Sequence, residues 1–472
     1  MIAVALPGGG VQEVICRLFR ARQHRHGAGV DLAGKPPAHH LVQMPQKTEA
    51  GHIGGRVHSI PAADLRSGLV QGCHGTDGGC HVFRGRLAHT VCGAQQPHTQ
   101  RFGQQQLVSR LAGIVCVQMM RVHKAGHFRA GVVQLLDNCT GLGLNTVLAQ
   151  VRPFGDALYR SSLFPWSHLC TGVQGQDPGF DPLDVLLQEA HTRGISVEAW
   201  VNPYRLRSSA AMPPNLADGN LANTHPEWVC TVDEGLYLNP AEPAAADYVV
   251  QGVAELVQNY AVDGIHFDDY FYPATDESID AAQFAASGAG NLAAWRRENV
   301  TALVRAVHDT VKAADPTLRF GISPQGNPDN DENQQYSDVT GWLASGGEDA
   351  VVDYLCPQVY WGQGFALHNG STRFAFENIV PAWLAYPRAE GVALYFGLGA
   401  YRVGVGDGGS NENSLSGWST GRALADQVAF LREQGAEGWA LYRYGSLFGP
   451  EQTSLAAAEC GALAAADGKE TA

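Results

Sequence analysis

Two adjacent carboxyls, Asp268 and Asp269, stand at the end of an apolar alternation, Gly264-Ile-His-Phe-Asp-Asp-Tyr270. Side chains alternate along a strand. Ile265 and Phe267 should face surrounding helices, which turns His266 and Asp268 inward. Asp269 then points away, unless the strand has ended and the backbone has turned. The same alternation sends Val147, Ala149 and Val151 outward, and Gln150 and Arg152 inward. It sends Val197, Ala199 and Val201 outward, and Glu198, Trp200 and Asn202 inward. Arg152, Asn202, His266 and Asp268 would thus line one polar mouth. Phe154, Tyr159, Trp166, Tyr204, Tyr270, Phe271, Tyr272, Tyr360 and Trp361 cluster near the same strand ends. Aromatic planes stack on the C–H faces of sugar rings, while Arg, Asn and Asp bind hydroxyls. Some of these rings are core residues. The run Tyr270-Phe-Tyr-Pro273 directly after two aspartates is harder to read that way.

The elements that must position these groups alternate regularly. Strand patterns cover Asn145–Pro153, Ser196–Pro203, Gly264–Tyr270, Arg319–Pro324, Tyr354–Trp361, Ala393–Tyr401 and Gly438–Gly445. Helix patterns cover Asp181–Gly194, Ala244–Tyr260, Leu292–Ala313 and Arg422–Gln434, the first with Asp181 at the N-cap, Pro182 behind it and Gly194 at the C-terminal end. Repeated strand–helix units imply a parallel sheet. The strands end in Arg152, Asn202, Asp268, Ser323, Gln358, Tyr401 and Tyr444. Chemistry at so many successive carboxyl ends marks a (β/α)8 barrel of the TIM type, not a doubly wound sheet with one switch point.

The first 130 residues differ. They hold 15 Lys+Arg against 5 Asp+Glu, whereas residues 131–472 hold 17 against 41, within a net charge of −14. They carry 12 of the 18 His and none of the Trp or Tyr. They show no sustained period and read as a disordered basic leader or as mistranslated sequence. Their one local pattern is Cys73-His74 and Cys80-His81, whose spacing matches no common zinc finger. The expected organisation is therefore a basic, aromatic-poor region at 1–130, a barrel at 131–450 and an Ala-rich tail at 451–472, helical and then disordered. The ten Cys form no disulfide framework. No apolar run reaches the roughly 18 residues of a membrane helix, and no signal peptide is visible. The acidic barrel part argues against nucleic acid as a partner. Nothing in the sequence sets the oligomeric state. No dinucleotide fingerprint, Walker loop or HExxH motif occurs, so neither a nucleotide cofactor nor a catalytic metal is expected.

The segments NTVLAQVRPFGDALYRSSLFPWS, EAHTRGISVEAWVNPYR, VDGIHFDDYFYP, RFGISPQG and VVDYLCPQVYWG resemble the glycosyl-hydrolase-like 10 family, over about 133–450. The resemblance implies a barrel hydrolase distantly related to the α-amylase type. In such relatives an Asp ending the fourth strand, in a GxxxD context, is the nucleophile, and Gly264-Ile-His-Phe-Asp268 is similar to it. It also implies an envelope location and, for at least one kind of member, action on peptidoglycan glycan strands. The family opens on a strand of the form RGVWV, which residues 1–132 lack. The first strand thus looks missing or replaced, with Leu111–Gln118 the one run apolar enough to substitute.

Glycoside hydrolysis uses two carboxyls, one ionised and one held protonated. Asp268 is the expected nucleophile or base, with His266 orienting it and Arg152 keeping it ionised. Ser323, Pro324 and Gln325 stand where amylase-type barrels carry a Glu, so the acid must come from elsewhere. Asp156 is ranked first, with Asp269, Asp329 and Asp331 as further candidates. Arg152, Trp166, Asn202, Tyr204, His266, Tyr270, Gln358, Tyr360 and Trp361 form the expected substrate contacts. The expected substrate is a polysaccharide or oligosaccharide, with an α-glucan and a non-catalytic glycan-binding barrel as alternatives. A phosphate-binding barrel is a third, because six glycines fall between Gly397 and Gly409, although Asp407 lies among them and Lys is absent.

Overall fold

The computed structural model describes residues 112–118, 125–411, 413–449 and 452–466. The Cys73 to His81 pattern lies outside these residues. Eight parallel strand positions close into a barrel: β1 (Ala112–Gln118), β2 (Thr146–Arg152), β3 (Ser196–Val201), β4 (Gly264–Phe267), β5 (Arg319–Ile322), β6 (Tyr354–Leu355 and Gln358–Val359), β7 (Ala393–Leu398) and β8 (Gly438–Leu441). β6 is split because Pro357 has no N–H for the ladder. Its first half pairs with β5 and β7, and its second half with β7.

The first strand position is filled. β1 pairs with β2 from Ile114↔Thr146 to Gln118↔Gln150, and with β8 from Ala112↔Gly438 to Val115↔Leu441. The apolar run noted as a substitute therefore closes the cylinder, and no unpaired edge is left between β8 and β2. β1 lies upstream of the composition break at residue 130.

Helices follow the strands: α1 (Ala125–Gly141), α2 (Pro182–His191), α3 (Pro243–Asn259), α4 (Leu292–Ala314), α5 (Val339–Ala344), α6 (Phe376–Leu384), α7 (Ala423–Glu433) and α8 (Ser454–Ala466). The Asp181 carboxylate caps α2 by accepting from the N–H of Leu183 at 3.1 Å and of Asp184 at 3.2 Å. No helix among the described residues is long and apolar enough to cross a membrane.

The alternation divides the apolar residues into two cores. Val115, Val117, Val147, Ala149, Val151, Val197, Ala199, Val201, Ile265 and Phe267 pack outward against the helices. Ile114, Cys116, Leu148, Trp200, Tyr354, Cys356, Tyr395 and Ala440 fill the lumen. Gly321 on β5 makes room for one of them, since a Cβ there would stand 2.1 Å from the Tyr354 ring. Above β3, the chain from Asn202 to Glu242 leaves the barrel to form a small antiparallel sheet of Arg205–Arg207, Val229–Val232 and Gly235–Leu238.

Candidate active site

The site is built at the carboxyl ends of β3 to β6. β4 ends at Phe267, so Asp268 and Asp269 lie where the chain leaves the strand. Asp268 is buried and turned toward β3. The indole Nε1–H of Trp200 donates to its Oδ2 at 3.1 Å. The Asn202 amide donates to both carboxylate oxygens at 3.1 Å. Burial pushes the Asp268 carboxyl above its usual range, while the Arg205 charge and the Asn202 and Trp200 donors act against that and favour the ionised form.

Asp269 diverges from its neighbour. The Gln358 amide donates to its Oδ1 at 3.0 Å and to the Ser323 carbonyl at 2.9 Å. With the Gln335 amide oriented to suit its partners, its nitrogen donates to the Asp269 carbonyl at 2.9 Å, and its oxygen accepts from Gln325 at 3.1 Å. The carboxyl thus faces the ends of β5 and β6, because the backbone has turned beyond the strand. Burial and then the Asp268 charge push it up to about 6, against the Gln358 hydrogen bond. One carboxyl is surrounded by donors and the other titrates near neutrality. That is the division of labour acid–base chemistry needs.

His266 faces the lumen as expected, but it does not orient Asp268. Its Nδ1 meets the Tyr354 hydroxyl at 2.7 Å and its Nε2 meets the Ser323 hydroxyl at 2.8 Å. Tyr354 in turn donates to Glu198, which lies 3.7 Å from Arg319. Burial, then Arg319, lowers His266 to about 3, so the ring is neutral. It belongs to a polar column below the site.

Arg152 overturns its expectation. The register between β2 and β3 shifts, so that Gln150 pairs with Trp200 but Arg152 pairs with Val201. This bulge turns Arg152 to the helix side with Val201. Its guanidinium sits 4.5 Å over the Phe164 ring, and a Cβ on Gly252 of α3 would stand 2.2 Å from Nη1. The cation that faces Asp268 is Arg205. It is buried between the rings of Phe154 and Tyr270, 5.1 Å from each, and is held by Nε donation to the Pro153 carbonyl at 3.2 Å.

The other candidates divide cleanly. Asp156 is fully buried, accepting from the Phe154 N–H at 3.2 Å and the Gln174 amide at 2.9 Å. It fastens the loop after β2 and has no surface for a substrate. Asp329 is an exposed partner of Arg373 at 2.6 Å. Asp331 is fully buried, with the Gln325 N–H at 2.8 Å, and burial raises it well above the carboxylate range. Tyr204 is fully buried in the outer core, with its hydroxyl unpartnered, and is no substrate contact. Trp166 braces the loop after β2, and its carbonyl accepts from the Gly175 N–H at 2.7 Å. Trp361 stacks on Phe374 at 4.9 Å and packs against the outer core. Asn202 and the Tyr270 N–H address Asp268, Gln358 addresses Asp269, and Tyr360 stands at the end of β6 against Tyr401 and Tyr442.

The glycine-rich stretch from 397 to 409 folds around its own carboxylate. Asp407 is buried and accepts from the N–H of Gly362 at 2.9 Å and of Gly409 at 3.0 Å, from the Trp418 indole at 3.0 Å and from the Ser414 hydroxyl at 2.9 Å. These donors are taken, and a phosphate there would have to displace the Asp407 carboxyl.

Residues 115–412 match the family described as glycosyl hydrolase-like 10. The chain belongs to that family. It is 35% identical over 322 residues to glycosyl hydrolase YngK of Bacillus subtilis (strain 168), covering 64% of this chain and 60% of that one. It is 34% identical over 300 residues to glycosyl hydrolase DigH of Escherichia coli (strain K12), covering 58% and 66%. The chain thus spans about 60–66% of the length of these relatives. Among solved structures, the glycoside hydrolase domain of PgaB (BpsB) from Bordetella bronchiseptica aligns with TM-score 0.49 and 15% identity, covering 75% of this chain and 98% of that one. Alpha-L-fucosidase isoenzyme 2 from Paenibacillus thiaminolyticus aligns with TM-score 0.47 and 16% identity, covering 74% and 48%.

Sequence reasoning did not assign Arg205 or Trp200 a role at the site. Trp200 had a signal, since its inward phase on β3 was legible. Arg205 closes the quoted segment EAHTRGISVEAWVNPYR, but it lies past the strand end, where period two assigns it no face.

Proposed function

We propose that this family member hydrolyses glycosidic bonds with Asp268 and Asp269 as its two working carboxyls. The observation that carries the reading is their divergence at one strand end. Burial raises both carboxyls, but Arg205, Asn202 and Trp200 oppose it at Asp268, whereas the Asp268 charge adds to it at the partly exposed Asp269, which is pushed up to about 6. Asp269 then supplies the proton to the departing glycosidic oxygen. Asp268 attacks the anomeric carbon, or removes a proton from the attacking water. Asn202, Tyr270, Gln358 and Tyr360 are the substrate contacts that this arrangement retains.

For the substrate we propose a polysaccharide, and first the glycan strands of peptidoglycan in the cell envelope, by the resemblance of the strand-end motifs to a family with envelope members. The acidic barrel part disfavours a nucleic-acid polymer in the same groove. The test is incubation of the full chain with denuded peptidoglycan strands and, separately, with an α-glucan, reading released oligosaccharides by mass spectrometry. Release from the first and a loss on the order of 10³-fold in Asp268→Asn support the proposal. Release from the α-glucan alone would replace the substrate. Binding without release from either would mark a glycan-binding barrel.

A further inference from the structure

Three tyrosines arrive at the mouth from three successive strands. Tyr360 follows the second half of β6, Tyr401 follows β7 and Tyr442 follows β8. The backbone pins two of them together. Tyr442 N–H donates to the Leu398 carbonyl at 2.9 Å, and Tyr401 N–H to the Tyr442 carbonyl at 3.3 Å. The rings of Tyr360 and Tyr442 lie nearly parallel, 23° apart with centroids at 5.6 Å. Tyr401 stands perpendicular to both, at 5.5 Å and 5.9 Å. The group joins the proposed reaction centre directly. Trp200 meets the Tyr442 ring at 6.4 Å and donates its indole N–H to Asp268.

Tyr442 packs against the lumen core, yet the cluster is not fully enclosed by it. The tyrosines that serve the core, such as Tyr159, Tyr204 and Tyr354, have no exposed surface. Tyr360, Tyr401 and Tyr442 all keep part of theirs, although they stand inside the barrel mouth. Aromatic surface open to a concave polar mouth is suited to a ligand with one apolar face and polar edges. A pyranose whose substituents are equatorial has that shape, with C–H bonds on its face and hydroxyls around its rim. Tyr270, just beyond the end of β4, also keeps part of its surface.

We propose that Tyr360, Tyr401 and Tyr442 form the platform for the sugar ring next to the scissile bond, with Tyr442 as the main contact, for a pyranose of equatorial (gluco) configuration. This rests on the glycosidase reading. Tyr401 buttresses the stacked pair edge-on, and Tyr442 sets the sugar beside Asp268 through Trp200.

The test separates binding from turnover. Full-length Asp268→Asn is titrated with denuded peptidoglycan strands and with maltotetraose, alone and combined with Tyr442→Ala, Tyr442→Leu or Tyr442→Phe. Melting temperatures are measured beside each titration. The platform is supported if Ala and Leu weaken binding of the cleaved glycan roughly tenfold or more while Phe stays near the parent. In the otherwise unaltered enzyme, Tyr442→Leu should then raise KM more than it lowers kcat. Unchanged binding in Tyr442→Leu overturns it, as does a loss seen only where the melting temperature collapses. If Asp268→Asn keeps full turnover, the glycosidase reading at Asp268 fails first and takes the platform with it.

Discussion

Two buried arginines stand beside neighbouring strand ends and do opposite work. Arg152 closes β2, and a bulge turns it out of the barrel against Phe164 and α3. There its charge lies near Glu255, which also binds the Ser162 N–H at 2.6 Å. Arg205 lies beyond β3, where the chain turns back over the mouth between Phe154 and Tyr270, and its charge acts on Asp268. Residue type and burial do not distinguish them. One extra residue in a ladder does, because it moves a side chain from one face to the other.

That contrast can be broken by substitution. Arg152→Met should destabilise the fold by about 1–2 kcal/mol, since it removes the cation over the Phe164 ring, yet leave kcat/KM within about twofold. Chemical denaturation beside steady-state kinetics checks this, and a large kinetic loss at unchanged stability would return Arg152 to the site. Arg205→Met should lower kcat/KM about 10- to 100-fold, with a smaller loss of stability. It also removes the charge that favours ionised Asp268, so the acidic limb of its pH profile should move to higher pH. The smallest effect sharpens the electrostatic side. Asp269 carries a folded pKa of about 6, above its ordinary 3.8. A raised carboxyl binds its proton more tightly when folded, so its contribution to stability falls as pH rises through that interval. Asp269→Asn should therefore raise stability near pH 7.5 by roughly 1–2 kcal/mol, and the gain should vanish by about pH 4. Melting curves across that range would show it.

The barrel was legible because its signals are periodic. Alternation set the outward faces of Val147, Val197, Ile265 and Phe267 and the inward face of Trp200, His266 and Asp268, and the strand ends followed. β1 was legible only as an apolar run, since AGIVCVQ lacks the expected opening motif. The site was less legible wherever periodicity stops. A bulge reversed Arg152, and a turn brought Asp269 back to the mouth. Tyr204 went into the core, and Asp156 was absorbed by hydrogen bonds inside its own loop. Such outcomes depend on partners that strand periodicity does not reach, such as Gln174 in the same loop for Asp156 and Gln358 on β6 for Asp269.

The central claim is that two adjacent aspartates divide the work, and the pH dependence of kcat/KM tests it most directly. The parent and Asp269→Asn would be compared between pH 4 and 9 on the glycan the enzyme cleaves. The parent should lose activity as pH rises through about 6, where the acid gives up its proton. In Asp269→Asn that basic limb should disappear, leaving a low residual rate that no longer falls as pH rises. A basic limb that persists unmoved in the variant would contradict the account and place the acid on another residue.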